Sequence, residues 1–186
     1  MPSNQIIADA KDHMDKSVKA LQHEFGTVRT GRASGAILEK ITVDYYGTPT
    51  PLTQIAGIKV PEPQMLLIEP WDKSALGAIE KAIQASDLGL NPSNDGQMIR
   101  VPFPPLTEER RKELVKLCKH YAEEARVAVR NIRRDANHKL ERLSKDGEAS
   151  EDEVRRAEGE IQKATDSHIG QIDEHLKRKE AEIMEV

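Results

Sequence analysis

Cysteine is nearly missing from this chain. The one present, Cys118, has no partner for an internal disulfide. No apolar run approaches the roughly 20 residues that a membrane-spanning helix needs. The first residues lack the basic segment and apolar core of a secretory signal, and there is no transit-like extension. A soluble cytoplasmic protein is therefore expected, bacterial rather than organellar. Aromatics make up only 3% of the residues while 32% are charged, which suits long amphipathic helices better than a β-sandwich or a deep ligand pocket. Catalytic signatures are also missing: no Gly-x-x-x-x-Gly-Lys-Ser/Thr loop, no Cys-x-x-Cys and no His-Glu-x-x-His. Asp146-Gly147-Glu148 lacks the alternating oxygen ligands of a calcium loop. His168 and His175 are seven apart without a third ligand and read as core-edge or surface residues. Cys118 reads as a small buried hydrophobe. The expectation is a protein that is not an enzyme and needs no metal or cofactor. Tyr45, Tyr46, Trp71 and Phe103 do not form the paired aromatic strands of a single-strand RNA platform, so core packing is expected of them.

What the sequence does have is one very long helix. Thr107 can cap it, Glu108 and Glu109 suit its first turn, and neither Gly nor Pro interrupts it before Gly147. About 39 residues at 1.5 Å each make a rod of roughly 58 Å. Its apolar residues recur at helical spacing: Leu114, Leu117 or Cys118, Tyr121, Ala125, Ala128 or Val129, Ile132, Ala136, Leu140 and Leu143. A second stripe comprises Lys112, Lys119, Arg126, Arg130, Arg133 and Asn137, spaced 7, 7, 4, 3 and 4. It falls in one sector roughly 130° from the apolar one. Most charged helix faces serve only solubility. Here arginine dominates the second half, and its planar fork suits phosphate better than lysine does. The stripe is thus a candidate polyanion surface, partly offset by Glu123 and Glu141.

The net charge of −4 conceals segregation: Thr107–Lys145 carries 12 basic against 7 acidic residues, and Asp146–Val186 carries 6 against 13. Along the chain, Ser3 or Asn4 caps a first helix reaching about Val28, with Ile7, Ala10, Met14, Val18, Leu21, Phe25 and Val28 as its seam. A basic, glycine-containing junction follows from Thr27 to Gly35. The period then shifts to two. Strands are predicted over Ile41–Tyr46, Ile55–Val60, Met65–Glu69 and Met98–Val101, with turns at Gly47–Pro51, Pro61–Pro63 and Asn94–Gly96. A helix capped by Asp72 runs to about Ser86. Pro102-Phe103-Pro104-Pro105 leads back to the long helix. After Gly147, Ser150 and Glu153 form a capping box for a third helix. The fold class is α+β: an elongated three-helix bundle (residues 1–30 and 106–186) with an inserted β/α/β domain (31–105). The crossings, Arg32, Ala33, Ser34, Gly35 and Pro102, Phe103, Pro104, Pro105, are the expected hinge.

Several long motifs match a known family. Val127-Ala128-Val129-Arg130-Asn131-Ile132-Arg133-Arg134-Asp135-Ala136-Asn137 resembles the signature of the ribosome recycling factor family. So do Arg29 to Ser34, Tyr45-Tyr46-Gly47-Thr48-Pro49-Thr50-Pro51, Ala85 to Pro92, and Arg100 through Lys112. The resemblance spans the chain in order. It implies an L-shaped, hinged, monomeric translation factor that binds the post-termination ribosome and, with the GTPase elongation factor G, splits it into subunits. It further implies contact with large-subunit ribosomal RNA, carried by motif match on Arg130 and Arg133, then Arg29 and Arg32. Lys112, Lys119, Arg126 and Asn137 join through stripe geometry alone. The competing class is a helical adaptor that binds proteins through its bundle, which would associate without strong salt dependence.

Overall fold

The computed structural model describes residues 2–185. Three long helices, α1 (Pro2–Thr27), α3 (Glu108–Lys145) and α4 (Glu151–Met184), account for most of the chain. The termini of α3 and α4 follow local chemistry. Thr107 Oγ1 accepts the Arg110 amide at 3.1 Å, and Ser150 Oγ accepts that of Glu153 at 3.1 Å. Gly147 closes α3 in the left-handed region (φ 73°), where Glu148 N–H reaches back to the Leu143 carbonyl at 2.9 Å.

Packing divides the chain into two compact units. The first contains α1 up to Phe25, α3 from Lys116 and α4 up to Glu180. Its core is the expected seam: Met14, Val18, Leu21 and Phe25 from α1, Val129, Ala136 and Leu140 from α3, Ile161 and Ile172 from α4. Where the apolar spacing left two choices, Cys118 and Val129 are buried, while Leu117 is 38% exposed. Polar contacts also link the helices. Ser3 donates to Glu153 at 2.9 Å, and His168, buried in α4, meets Asp15 of α1 at 2.6 Å and its own Ala164 carbonyl at 2.6 Å.

The second unit, Gly26–Val115 with the chain from Ala181 onward, carries the strands. A two-stranded ribbon joins β1 (Thr42–Tyr45) to β2 (Thr48–Pro51). Strands β3 (Ala56–Glu62), β4 (Met65–Pro70), β5 (Ser93–Asn94) and β6 (Ile99–Pro102) form an antiparallel sheet in the order β3-β4-β6-β5. Helix α2 (Leu76–Ala85) shares their core, in which Leu66, Ile68, Ile79, Ile83, Ile99 and Val101 are fully buried. The α+β reading holds.

Several details differ from expectation. Residues 48–51 form a strand rather than part of a turn. The turn is only Tyr46-Gly47, both at positive φ (51° and 79°), as a two-residue hairpin of this hand requires. Pro49 and Pro51 are tolerated because β2 is an edge strand. Likewise Pro61 lies inside β3, at the irregularity between Lys59 and Glu62 where no ladder bond is lost. The aromatics also divide. Phe103 is buried and Tyr45 half-buried, but Tyr46 and Trp71 are 76% and 71% exposed, so the expectation of core packing fails for these two.

Candidate nucleic-acid interface

The cations of α3 differ in how far they are already neutralised. Arg126 is largely occupied. Its Nε and Nη2 donate to Asp173 Oδ1 of α4 at 2.9 and 2.7 Å, and its Nη1 donates to Glu123 at 3.0 Å. Burial alone would lower its pKa, but the hydrogen bonds it donates to Asp173 and Glu123 prevail and raise it. This arginine ties α3 to α4.

Arg130 is free by comparison: its side chain is 44% exposed and only loosely paired with Glu123, at 3.4 Å. Arg133, half-buried, donates to the Gln162 amide oxygen at 3.3 Å and, among the described residues, meets no carboxylate. That amide in turn donates to Asp166 at 2.9 Å, so a neutral group stands between the guanidinium and the acid. Asn137, half-buried, leaves its Oδ1 without a partner. Lys119 is exposed, and among the described residues no carboxylate pairs with it. Lys112, in the other unit, is exposed and touches Glu108 only at 4.0 Å.

The stripe is therefore not uniformly outward. Arg126 and Arg133 lie on the flank of α3 that meets α4. The outward face carries cations the seven-residue spacing passed over: Arg134, Arg142 and Lys145 are all exposed and form no ion pair among the described residues. Their signal was available. Arg134 and Lys145 sit some 80–100° around the wheel from Arg126, farther from the apolar seam.

The two junction arginines behave differently. Arg32 is exposed. Arg29 is 8% exposed, stacks 5.3 Å from the centre of the Phe103 ring, and donates through Nη2 to the Pro104 carbonyl. Burial, then the nearby Arg110, lowers its pKa. This geometry makes Arg29 a clasp between the two crossings. Most of the other junction residues are built into the sheet unit. Ala33 N–H donates to Pro63 O at 2.7 Å, Ser34 caps the turn at Gly35, Pro102 ends β6, and Phe103 N–H donates to Gln64 O at 2.7 Å.

The exposed face of α3 presents several guanidinium and ammonium groups along one continuous helix. Among the described residues no cluster of His, Cys, Asp and Glu could hold a metal ion, and no helix is long and apolar enough to cross a membrane. The family model described as "Ribosome recycling factor" matches residues 21–184. The ribosome-recycling factor of Geobacillus kaustophilus is 59% identical over 184 residues, covering 99% of this chain and 100% of that one. That of Carboxydothermus hydrogenoformans is 57% identical over 181 residues, covering 97% and 98%. The solution structure of a ribosome recycling factor superposes with a TM-score of 0.76 at 45% identity, covering 100% of this chain and 99% of that one. A second neighbour, with TM-score 0.68, 51% identity and 100% coverage of both chains, is the T. thermophilus ribosome recycling factor, in models that include the E. coli elongation factor G bound to the E. coli post-termination complex.

Proposed function

Because this chain belongs to the ribosome recycling factor family, we propose that it binds the post-termination ribosome and, with elongation factor G and GTP, separates the subunits so that mRNA and tRNA leave. The observation that supports the RNA-docking part is the incomplete neutralisation of α3. Arg130, Arg133, Arg134 and Arg142 keep most of their charge available, although helix α4 is acidic. Placed against ribosomal RNA phosphates, they displace condensed counterions, so affinity falls steeply with salt. Phosphate contacts of this kind fix position and orientation without reading bases.

Rigidity matters as much as charge. A continuous helix of 38 residues, packed in a bundle, resists bending and transmits a push applied at one place to contacts made at another. We assign the push to the partner GTPase, acting on the sheet unit. Flexure is assigned to Thr30–Arg32 and Pro104–Pro105, because Ala33 and Phe103 are hydrogen-bonded into the sheet unit. Arg29 then acts as a clasp that limits this flexure rather than as an RNA contact, while Arg32 and Lys119 remain available to RNA. No step in this scheme requires a catalytic group of the chain itself.

The direct test is sedimentation of post-termination ribosomes through a sucrose gradient after incubation with the protein, elongation factor G and GTP. Free subunits are expected. Intact ribosomes would remove the recycling role.

A further inference from the structure

The chain has six aromatic residues of the Phe, Tyr and Trp types, and its single tryptophan stands in water. Leaving Trp71 71% exposed and Tyr46 76% exposed forgoes the largest apolar burial available to a protein so poor in aromatics. These two side chains emerge from neighbouring places in the sheet unit. The Tyr46 hydroxyl donates to Asp72 Oδ2 at 2.9 Å, and Asp72 is the residue after Trp71.

Tyr46 is also held in place at some cost. It occupies a positive φ of 51°, where Asn or Gly is favoured and a bulky side chain is rare. Its ring is fixed from two sides: edge-on by Tyr45, with centroids 4.6 Å apart, and at the hydroxyl by Asp72 and Ser74, at 2.9 and 3.1 Å. An exposed ring immobilised in this way loses little entropy on binding, which is the property of an interface anchor.

The surrounding charge selects the ligand. Residues 36–106 carry 8 acidic against 5 basic residues. Asp44 lies two positions before Tyr46, Glu69 two before Trp71, and Asp72 is held ionised, its pKa lowered to about 2 by hydrogen bonds from Ser74, then Tyr46 and Tyr45. Lys59 is engaged with Glu69 at 3.4 Å, and Lys73, the residue after Asp72, opposes the field. Such a surface repels phosphate. Aromatic faces beside carboxylates instead attract guanidinium and ammonium groups. We infer that Tyr46 and Trp71 anchor a protein surface rich in arginine and lysine, separate in chemistry from the RNA-facing cations of α3. This contact would serve the recycling role proposed above.

The test uses the full chain with p-benzoylphenylalanine at position 71, irradiated with post-termination ribosomes, elongation factor G and GTP. Cross-links are expected to a protein, at peptides carrying Arg or Lys; cross-links only to ribosomal RNA, or none, would overturn the anchor. In parallel, Trp71→Ala and Tyr46→Asn are expected to raise the concentration needed for half-maximal subunit splitting about tenfold each, the loss of an interface hot spot. Asn suits the turn, so the fold is retained, as a melting curve will show. Normal splitting by the double variant contradicts the anchor and leaves the recycling role standing. Cross-linking of the position-71 benzoylphenylalanine chain to a basic protein, with no splitting by the unsubstituted chain, keeps the anchor and loses the recycling role.

Discussion

Arg126 and Arg133 are seven residues apart on one helix, yet they do different work. Arg126 meets two carboxylates, whereas Arg133 meets only an amide. Replacing Arg133 by Ala is expected to weaken binding to large ribosomal subunits by about 1–3 kcal/mol while leaving the melting temperature unchanged. Arg126→Ala should do the reverse, costing roughly 0.5–1 kcal/mol of stability with little change in binding. Equilibrium binding and thermal melts on the two variants check both expectations. Asp72 supplies a pH prediction. Its folded pKa, about 2, lies below the ordinary 3.8, so its contribution is present above pH 4 and is lost as pH falls from about 4 toward 2. Trp71 fluorescence, followed through an acid titration, should report loosening in that window, and Asp72→Asn should flatten the response. At this scale the sequence was only partly legible. That Arg130 and Arg133 sit on the helix surface follows from periodicity. Part of the pairing was local, since Glu123 meets both Arg126 and Arg130, but that Arg126 also finds Asp173 of α4 depends on a residue 47 positions away, and no local signal encodes it.

Elements were the most legible level, because their ends are made by neighbours. Thr107, Gly147 and Ser150 each cap through atoms within five residues, so spacing alone located both long helices. Gly147→Ala tests one of these stops. A Cβ there meets nothing within 4 Å, so only the left-handed backbone is penalised, by about 1–2 kcal/mol. A calorimetric melt should show Tm lowered by roughly 2–8 °C, and an unchanged Tm would mean the α3–α4 connection frays without cost. Strand β2 escaped detection for an equally physical reason. Two prolines in four residues oppose a ladder, and Tyr46 occupies a turn position that usually carries Asn or Gly. A residue kept against its local preference points to a task elsewhere. The same reasoning applies to Trp71, which hydropathy sends inward and the fold leaves outside.

For the molecule as a whole, net charge and charge distribution point in different directions. A chain of net charge −4 has no global attraction for RNA, yet residues 107–145 alone carry an excess of five cations. Because α3 is continuous, those charges share one element instead of being scattered over loops. The most direct test is the salt dependence of binding to isolated large subunits, for the native chain and for the combined Arg130→Ala, Arg133→Ala, Arg134→Ala variant. Plotted as log affinity against log salt concentration, the native protein should fall steeply, and the variant should have a slope shallower by about 2–3, near one per phosphate contact removed. Identical slopes for the two proteins would contradict the docking of α3 on RNA.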